Sequence, residues 1–324
     1  GEMAEHGHSI VLVSHKMEEI LNHTHRVSVL RHGRNAGTID TSDTNAEELA
    51  SMMIGSDLES ESISIEPRPL VDGSPVLQVD GLVVGGDRGL VAVDGATLEV
   101  RAGQIVGVAG VAGNGQRELQ EAIAGLRSIG AGSVRFGEVD ATRLSPRARS
   151  EAGLAYVPED RLGTGLARGM TLEENLTLKN YYKSPQSHYG VLSTASIEST
   201  SRALTEQFDV RGAREGMPVS LMSGGNLQKA ILARELTQPH DILLAASPTR
   251  GLDLAAAAAV HGHLRDERAH QRGVLLFSED LAEIAALSDI ILVIYRGRIV
   301  GSYLRQELDL DELGLLMTGA KAHL

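Results

Sequence analysis

The sequence predicts an α/β protein built on a mainly parallel sheet, and three observations carry that prediction. Short apolar runs at Gln104–Ala109, Ala152–Val157, Ile242–Ala245, Val274–Phe277 and Ile290–Ile294 alternate with helix-forming stretches, the pattern of strands joined by crossover helices. The first of these runs enters a glycine-rich loop, Gly110-Val-Ala-Gly-Asn-Gly115, that opens a helix near Arg117. In addition, one segment of the chain occurs twice, at the distance of a whole domain.

That repeat sets the domain organisation. Ser9–Gly55 aligns without a gap on Gly273–Gly319 at a constant offset of 264 residues. Twelve of the 47 pairs are identical, Ser14 with Ser278 and Gly33 with Gly297 among them, against about three expected from composition. A period this long is a domain rather than a solenoid unit. The expectation is therefore the tail of one domain copy (1–55), a linker (56–75) and a nearly complete second copy (76–324), with a helical subdomain at about 165–238. At the centre of the repeat His15 becomes Glu279, so the two copies have diverged in chemistry.

Along the chain, Ser9–Val13 and Val27–Leu30 read as strands around a helix with Met17, Ile20 and Leu21. Arg31–Gly37 turns into a further strand and Ala46–Met53 into a short helix. Ser56–Pro75 shifts to Ser, Glu, Asp and Pro without periodicity, which predicts a linker. Val76–Val100 alternates apolar and small residues between Gly and Asp turns, predicting antiparallel strands. Ser145–Ser150 predicts a short helix, and Thr171–Gln238 a largely helical block inserted between two strands.

Composition narrows the function classes. A net charge of −13 and a pI near 5.4 argue against a nucleic-acid surface, which needs clustered Lys and Arg. No apolar run reaches the ~18 residues of a membrane span, and no signal pattern opens the chain. The absence of cysteine excludes disulfides, thiolate metal sites and a cysteine nucleophile. Without tryptophan and with three phenylalanines, base-stacking platforms are not expected. The composition is that of a soluble, acidic α/β protein.

Two motifs carry the chemistry. Gly110, Gly113, Asn114 and Gly115 have the spacing of a phosphate loop, whose backbone N–H groups and helix N-terminus surround an anion. In such a loop Lys and Ser or Thr come next, to neutralise phosphate and hold Mg²⁺; here the residues are Gln116 and Arg117. A tight strand–helix turn that holds no ligand is the other reading of the glycines alone. Glu118 stands where a dinucleotide fingerprint needs its third glycine. The second motif is Leu221-Met-Ser-Gly-Gly-Asn-Leu-Gln-Lys229, followed by the strand Ile242–Ala245 and by Pro248-Thr-Arg-Gly-Leu-Asp253. Ser223, Gly224 and Gly225 offer a hydroxyl and bare backbone N–H groups at a helix start, a geometry suited to a γ-phosphate.

The combination resembles the ATP-binding subunit of ABC importers for simple sugars and nucleosides, and the resemblance covers nearly the whole chain. It implies a P-loop ABC ATPase cassette: a mainly parallel sheet core, an antiparallel β subdomain and an inserted helical subdomain. It also implies ATP and Mg²⁺ as ligands, integral membrane permease subunits and a substrate-binding protein as partners, and a peripheral place on the cytoplasmic face of the membrane. Members carry two cassettes in one polypeptide, packed head-to-tail, each nucleotide lying between the phosphate loop of one and the signature loop of the other.

On that resemblance the two composite sites differ. At the site built on Gly110–Gly115, Gln116 and Arg117 replace the lysine and the hydroxyl. Ala246 and Ser247 replace the Asp-Glu that would organise Mg²⁺ and water. Glu159 stands where a metal-sensing Gln is common, Glu279 replaces the γ-phosphate histidine, and Val76–Gly103 lacks an aromatic for adenine. The expectation is no hydrolysis there. The other site, on a preceding cassette's phosphate loop or on a second copy, would receive His15, Ser223, Gly224, Gly225 and Asp253 from this chain. Two further readings stay open: a non-hydrolytic pseudo-ATPase that scaffolds or regulates, and a tandem ATPase acting on ribosomes or DNA, which the acidic charge disfavours. The helical block and the Glu159 loop are expected to form a groove for a permease helix, with Tyr181, Tyr182 and Tyr189 as candidate lining.

Overall fold

The computed structural model describes residues 6–13, 17–31, 34–45, 48, 49, 52, 73–307, 313, 316 and 317. The chain forms two units, residues 1–64 with 251–260, and residues 65–250 with 261–324.

The second unit holds two sheets. The six-stranded sheet combines β5 (Ile105–Ala109), β8 (Leu154–Val157), β11 (Ile242–Ala246), β12 (Gly273–Ser278), β13 (Ile290–Tyr295) and β14 (Arg298–Leu304), in the order β14-β13-β5-β12-β11-β8. All pairs are parallel except β13–β14. Every residue of β5, β11 and β12 is buried, as in parallel strands covered on both faces. This is why they read as unbroken apolar runs.

The second sheet is antiparallel, in the order β4-β3-β6-β7, from β3 (Pro75–Gly85), β4 (Val91–Arg101), β6 (Ile129–Phe136) and β7 (Val139–Asp140). Burial in β3 changes phase, from Leu77 and Val79 to Leu82 and Val84, across a bulge at Asp80–Gly81. The extra residue restores the apolar face that a one-residue slip would turn outward. Strand β6, Ile-Gly-Ala-Gly-Ser-Val-Arg-Phe, lies outside the sequence expectations because its glycines interrupt the alternation. Gly132, at φ +85°, is required there: a Cβ would lie 2.4 Å from the Gly81 carbonyl oxygen. One core runs through both sheets, from Leu77 and Val134 to Leu244 and Phe277.

Between β8 and β11 lie α4 (Leu172–Thr177), α5 (Thr194–Gln207) and α6 (Gly224–Leu236), the expected helical insertion. The helix that follows the glycine loop is α2 (Gln116–Ala124), and α3 (Pro146–Glu151) leads into β8. Thr171 and Glu174 form a capping box at the start of α4. The insertion also contains a hairpin of β9 (Ser187–His188) with β10 (Val191–Leu192). Its turn places Tyr189 and Gly190 at positive φ, the conformation of a tight two-residue hairpin turn.

In the first unit, α1 (Met17–His23) precedes the hairpin of β1 (Arg26–Arg31) and β2 (Arg34–Asp40), around Ile20, Val29 and Leu49. These bounds recur 264 residues later in α8 (Leu281–Leu287), β13 and β14. The ladder irregularity recurs too, at Val29/Leu30 and at Val293/Ile294. The strand expected at Ser9–Val13 is a correction: these residues join no ladder, and Val11 and Val13 are 89% and 94% exposed. Their counterpart β12 lies between β5 and β11, and a strand without such neighbours leaves its backbone groups to water. Of the expected linker 56–75, residues up to 72 lie outside the described residues, and Pro75 already opens β3.

Candidate functional site

The register of the parallel sheet brings four of the predicted loops together at the carboxyl ends of adjacent strands. Ala109 stands opposite Ser278, Phe277 opposite Ala246, and Ala245 opposite Val157. The loops leaving those four strands carry Gly110–Gly115, Glu279, Ser247 and Glu159. His15 lies outside the described residues.

The glycine loop joins β5 to α2, with Gly113 and Gly115 at φ +86° and +98°. A Cβ on Gly115 would lie 2.4 Å from the Ala92 carbonyl oxygen, so only glycine fits. Asn114 ties the loop to the β13–β14 turn: its Oδ1 accepts from Arg296 N at 3.0 Å and its carbonyl from Gly297 N at 2.9 Å. The carboxamides of Asn114 and Gln116 both donate to the Val111 carbonyl, each at 3.1 Å. Gln116 therefore bridges its own loop with a neutral group. The Arg117 guanidinium is paired with Asp87 in the β3–β4 turn and, at 3.0 Å, with Glu118. Hydrogen bonds from Arg127 and then Arg117 hold the Asp87 carboxyl below its ordinary range.

Beside this loop opens a cleft of about 580 Å³ whose lining includes Arg117, Glu121, Tyr156, Glu159, Arg161 and Arg250. Ser223, Gly224 and Gly225 are not part of its lining. Glu159 forms an ion pair with Arg250, and Arg161 donates to the Arg250 carbonyl and, at 2.7 Å, to Gln228 Oε1. Strand β11 ends in buried Ala246 followed by Ser247 at φ 42°. Mg²⁺ takes oxygen ligands in near-octahedral geometry. The positions that would supply them hold a guanidinium, a methyl group and a serine, and Glu159 is engaged by Arg250, so this donor set does not fit the ion. Backbone N–H groups at the start of α2 still suit an anion.

Asp87, Arg127, Arg161 and Arg250 were not singled out from sequence. Arg250 lies within the Pro248-Thr-Arg-Gly-Leu-Asp253 run, whose spacing signals a polar loop without naming Glu159 as its partner.

The signature residues stand at the N-terminus of α6, where Ser223 is the exposed N-cap residue and Gly224 and Gly225 open the helix. Asp253 Oδ1 accepts from Ala256 N at 2.8 Å, capping α7 (Leu254–Ala269). Behind the Glu279 loop, Glu283 accepts from Thr249 Oγ1 and Ser278 Oγ, both at 2.6 Å, and pairs with His261 Nε2 at 2.9 Å. Burial pushes the Glu283 carboxyl up, but the bonds from His261, Ser278 and Thr249 outweigh it and hold the group below its ordinary value.

A groove of about 420 Å³ is lined in part by Leu126, Pro146, Leu178, Tyr181 and Tyr182. Arg147 lies 3.7 Å over the Tyr182 ring, whose hydroxyl donates to Glu151 at 2.7 Å. Buried Glu235, also in the lining, accepts from Tyr156 N and Lys179 Nζ. Tyr189 is not in the lining and is fully exposed in the hairpin turn. Among the described residues, no helix is long and apolar enough to cross a membrane.

Residues 93–250 match the family model described as ABC transporter. The chain is 41% identical over 98% of its length to the nucleoside import ATP-binding protein NupA of Lactococcus lactis subsp. cremoris, covering 62% of that protein. It is 40% identical over 98% of its length to the glucose import ATP-binding protein TsgD13 of Haloferax volcanii, covering 58%. The chain thus spans about three fifths of the length of these relatives. A solved structure of an ATP-binding subunit of an ABC transporter shares the fold, with 23% identity and a TM-score of 0.61 over 75% of this chain and 99% of that one. The fold is that of a P-loop ABC ATPase cassette, and residues 93–250 carry the ABC transporter family match.

Proposed function

We propose that this chain is part of the ATP-binding subunit of an ABC importer for nucleosides or simple sugars. Its second unit acts as a cassette that completes an ATP site on another cassette and does not hydrolyse ATP at its own phosphate loop. The observation that carries this reading is the chemistry of the four loops at the carboxyl ends of adjacent strands. Gln116 and Arg117 supply no lysine or hydroxyl, Ala246 and Ser247 supply no carboxylate, Glu159 is held by Arg250, and Glu279 puts a negative charge where the resemblance implies a histidine. Electrostatic stabilisation of a transferring phosphoryl group requires those groups in place. The signature loop Ser223-Gly-Gly, by contrast, keeps its hydroxyl and bare N–H groups.

The recurrence of α1, β1 and β2 as α8, β13 and β14 supports reading residues 1–55 as the end of a first cassette, joined by the linker 56–75 to the second at 76–324. In that reading His15 faces the γ-phosphate of the competent site, and Asp253 joins Ser223, Gly224 and Gly225 in closing it. ATP and Mg²⁺ act there, and at Gly110–Gly115 nucleotide binding is weak. The groove beside Tyr182 receives the permease, a substrate-binding protein delivers the solute, and the subunit sits at the cytoplasmic membrane face. The names of the relatives, nucleoside and glucose import proteins, support the solute classes.

The test is phosphate release by the intact ATPase. Ser223→Ala should lower turnover by about tenfold or more, whereas Gln116→Ala should leave it near the parent value. The reverse pattern would assign hydrolysis to the Gln116 loop and overturn the reading.

A further inference from the structure

Resting on the reading that the signature loop faces the triphosphate of another cassette, we propose that Asn226 is a positioning residue that makes the Ser223 hydroxyl a dedicated hydrogen-bond donor. The orientation of the Asn226 carboxamide is set from outside the loop. Arg211 N, which can only donate, lies 2.6 Å from Asn226 Oδ1, so the amide nitrogen faces the other way. That nitrogen donates to Ser223 Oγ at 2.9 Å. The serine oxygen is thereby an acceptor toward Asn226, and its single proton points elsewhere.

A second observation agrees. Ser223 is the N-cap residue of α6 yet makes no side-chain cap, whereas Ser145 and Ser193 accept from Ala148 N and Ser196 N at the starts of their helices. Ser223 has exchanged the ordinary capping bond for one with Asn226. The helix N–H groups and the hydroxyl proton are both left for an acceptor outside the chain.

The device is braced one turn further along the same face of α6. Lys229 Nζ donates to the Asp209 carbonyl at 2.9 Å and to its carboxylate at 2.8 Å. Arg211 Nε donates to the other carboxylate oxygen at 2.6 Å. Asp209 itself has φ 49°, so the loop that presents Arg211 N is held in shape by these bonds. The Asn-x-x-Lys spacing of the motif thus sets the direction of one proton rather than simply filling a helix surface.

The test is a double-mutant cycle in the intact ATPase, with kcat and KM for MgATP and vanadate trapping of Mg·ADP as readouts. Asn226→Asp keeps an acceptor for Arg211 N but turns Ser223 into a donor toward the new carboxylate. We expect kcat to fall about 10- to 100-fold with little change in KM, as when one transition-state donor is lost. Hydrogen exchange at the Arg211 amide should stay slow in that variant and accelerate in Asn226→Ala, which reports the intact loop separately from activity. In a Ser223→Ala background Asn226→Asp should change kcat less than about threefold. Equal losses in both backgrounds would mean simple charge repulsion and overturn the inference, as would parent-like kcat for Asn226→Asp. Parent-like turnover of Ser223→Ala alone would instead sink the reading of the loop on which it rests.

Discussion

Arg117 and Asp87 form an ion pair that ties the first turn of α2 to the turn between β3 and β4. Asp87 is shared with Arg127, which also reaches Glu121 and the Gly85 carbonyl. Arg117 is thus engaged by the antiparallel sheet, and Gln116 beside it is engaged by its own loop. The arrangement is internally satisfied, and each part of it can be tested.

Restoring a cation should restore affinity before activity. The double substitution Gln116→Lys with Arg117→Thr supplies a charge-assisted bond worth about 1.5–3 kcal/mol, or roughly 10- to 100-fold in Kd. Titration with a fluorescent ATP analogue should show that tightening. Phosphate release from the purified chain should stay at background, because Ala246 and Ser247 still provide neither metal ligand nor base. Turnover in this variant would contradict the assignment.

The loop's shape depends on Gly115. At φ +98°, with the Ala92 carbonyl oxygen 2.4 Å from a Cβ, Gly115→Ala should destabilise the second unit by about 2 kcal/mol or more. Gly113→Ala meets positive φ alone, with open space around it, and should cost about 1 kcal/mol. Urea unfolding of both variants measures the difference, and equal midpoints would refute the steric argument.

Arg149 holds α2 from behind. Its buried guanidinium donates to the carbonyls of Ala122 (2.5 Å), Ile123 (2.7 Å), Thr142 (3.0 Å) and Leu144 (3.1 Å). Burial pushes its pKa down. Arg149→Met fills much of the same space but leaves those acceptors unpaired, and should cost about 3 kcal/mol. A smaller loss than for the exposed Arg147→Met would show that the carbonyls find other donors.

Glu283 predicts an acid limb. Its folded-state pKa lies below the ordinary 4.5. Its contribution is therefore complete above that value and is lost as pH falls through the lower folded value. Unfolding midpoints should decline below about pH 4.5, and Glu283→Gln should be less stable at neutral pH with a shallower decline. An unchanged slope in that variant would assign the acid limb to other carboxylates.

Much of this was legible in the chain. Strands β5, β11, β12 and β13 are continuous apolar runs because both faces are covered, so composition alone reveals them. Gly110–Gly115 is legible because positive φ at Gly113 and Gly115 and the close approach of the Ala92 carbonyl to Gly115 favour glycine there, and Ser223-Gly-Gly is legible as a motif at a helix start. Strand β6 was hidden because its glycines answer to a bulge in β3, some fifty residues earlier. Ser9–Val13 misled for the opposite reason: it has strand composition, but composition supplies no neighbour.

Residue identity settled which chemical groups stand at each loop: no lysine after Gly115, no carboxylate after Ala245, glutamate at 279. Those facts are one-dimensional and need no coordinates. Where the groups are directed is a matter of pairing across long stretches of sequence, such as Arg117 with Asp87, Glu159 with Arg250, and Arg211 N with Asn226. A hydrogen bond depends on distance and angle in space, and chain spacing carries neither, so only the folded chain distinguishes a free side chain from an engaged one.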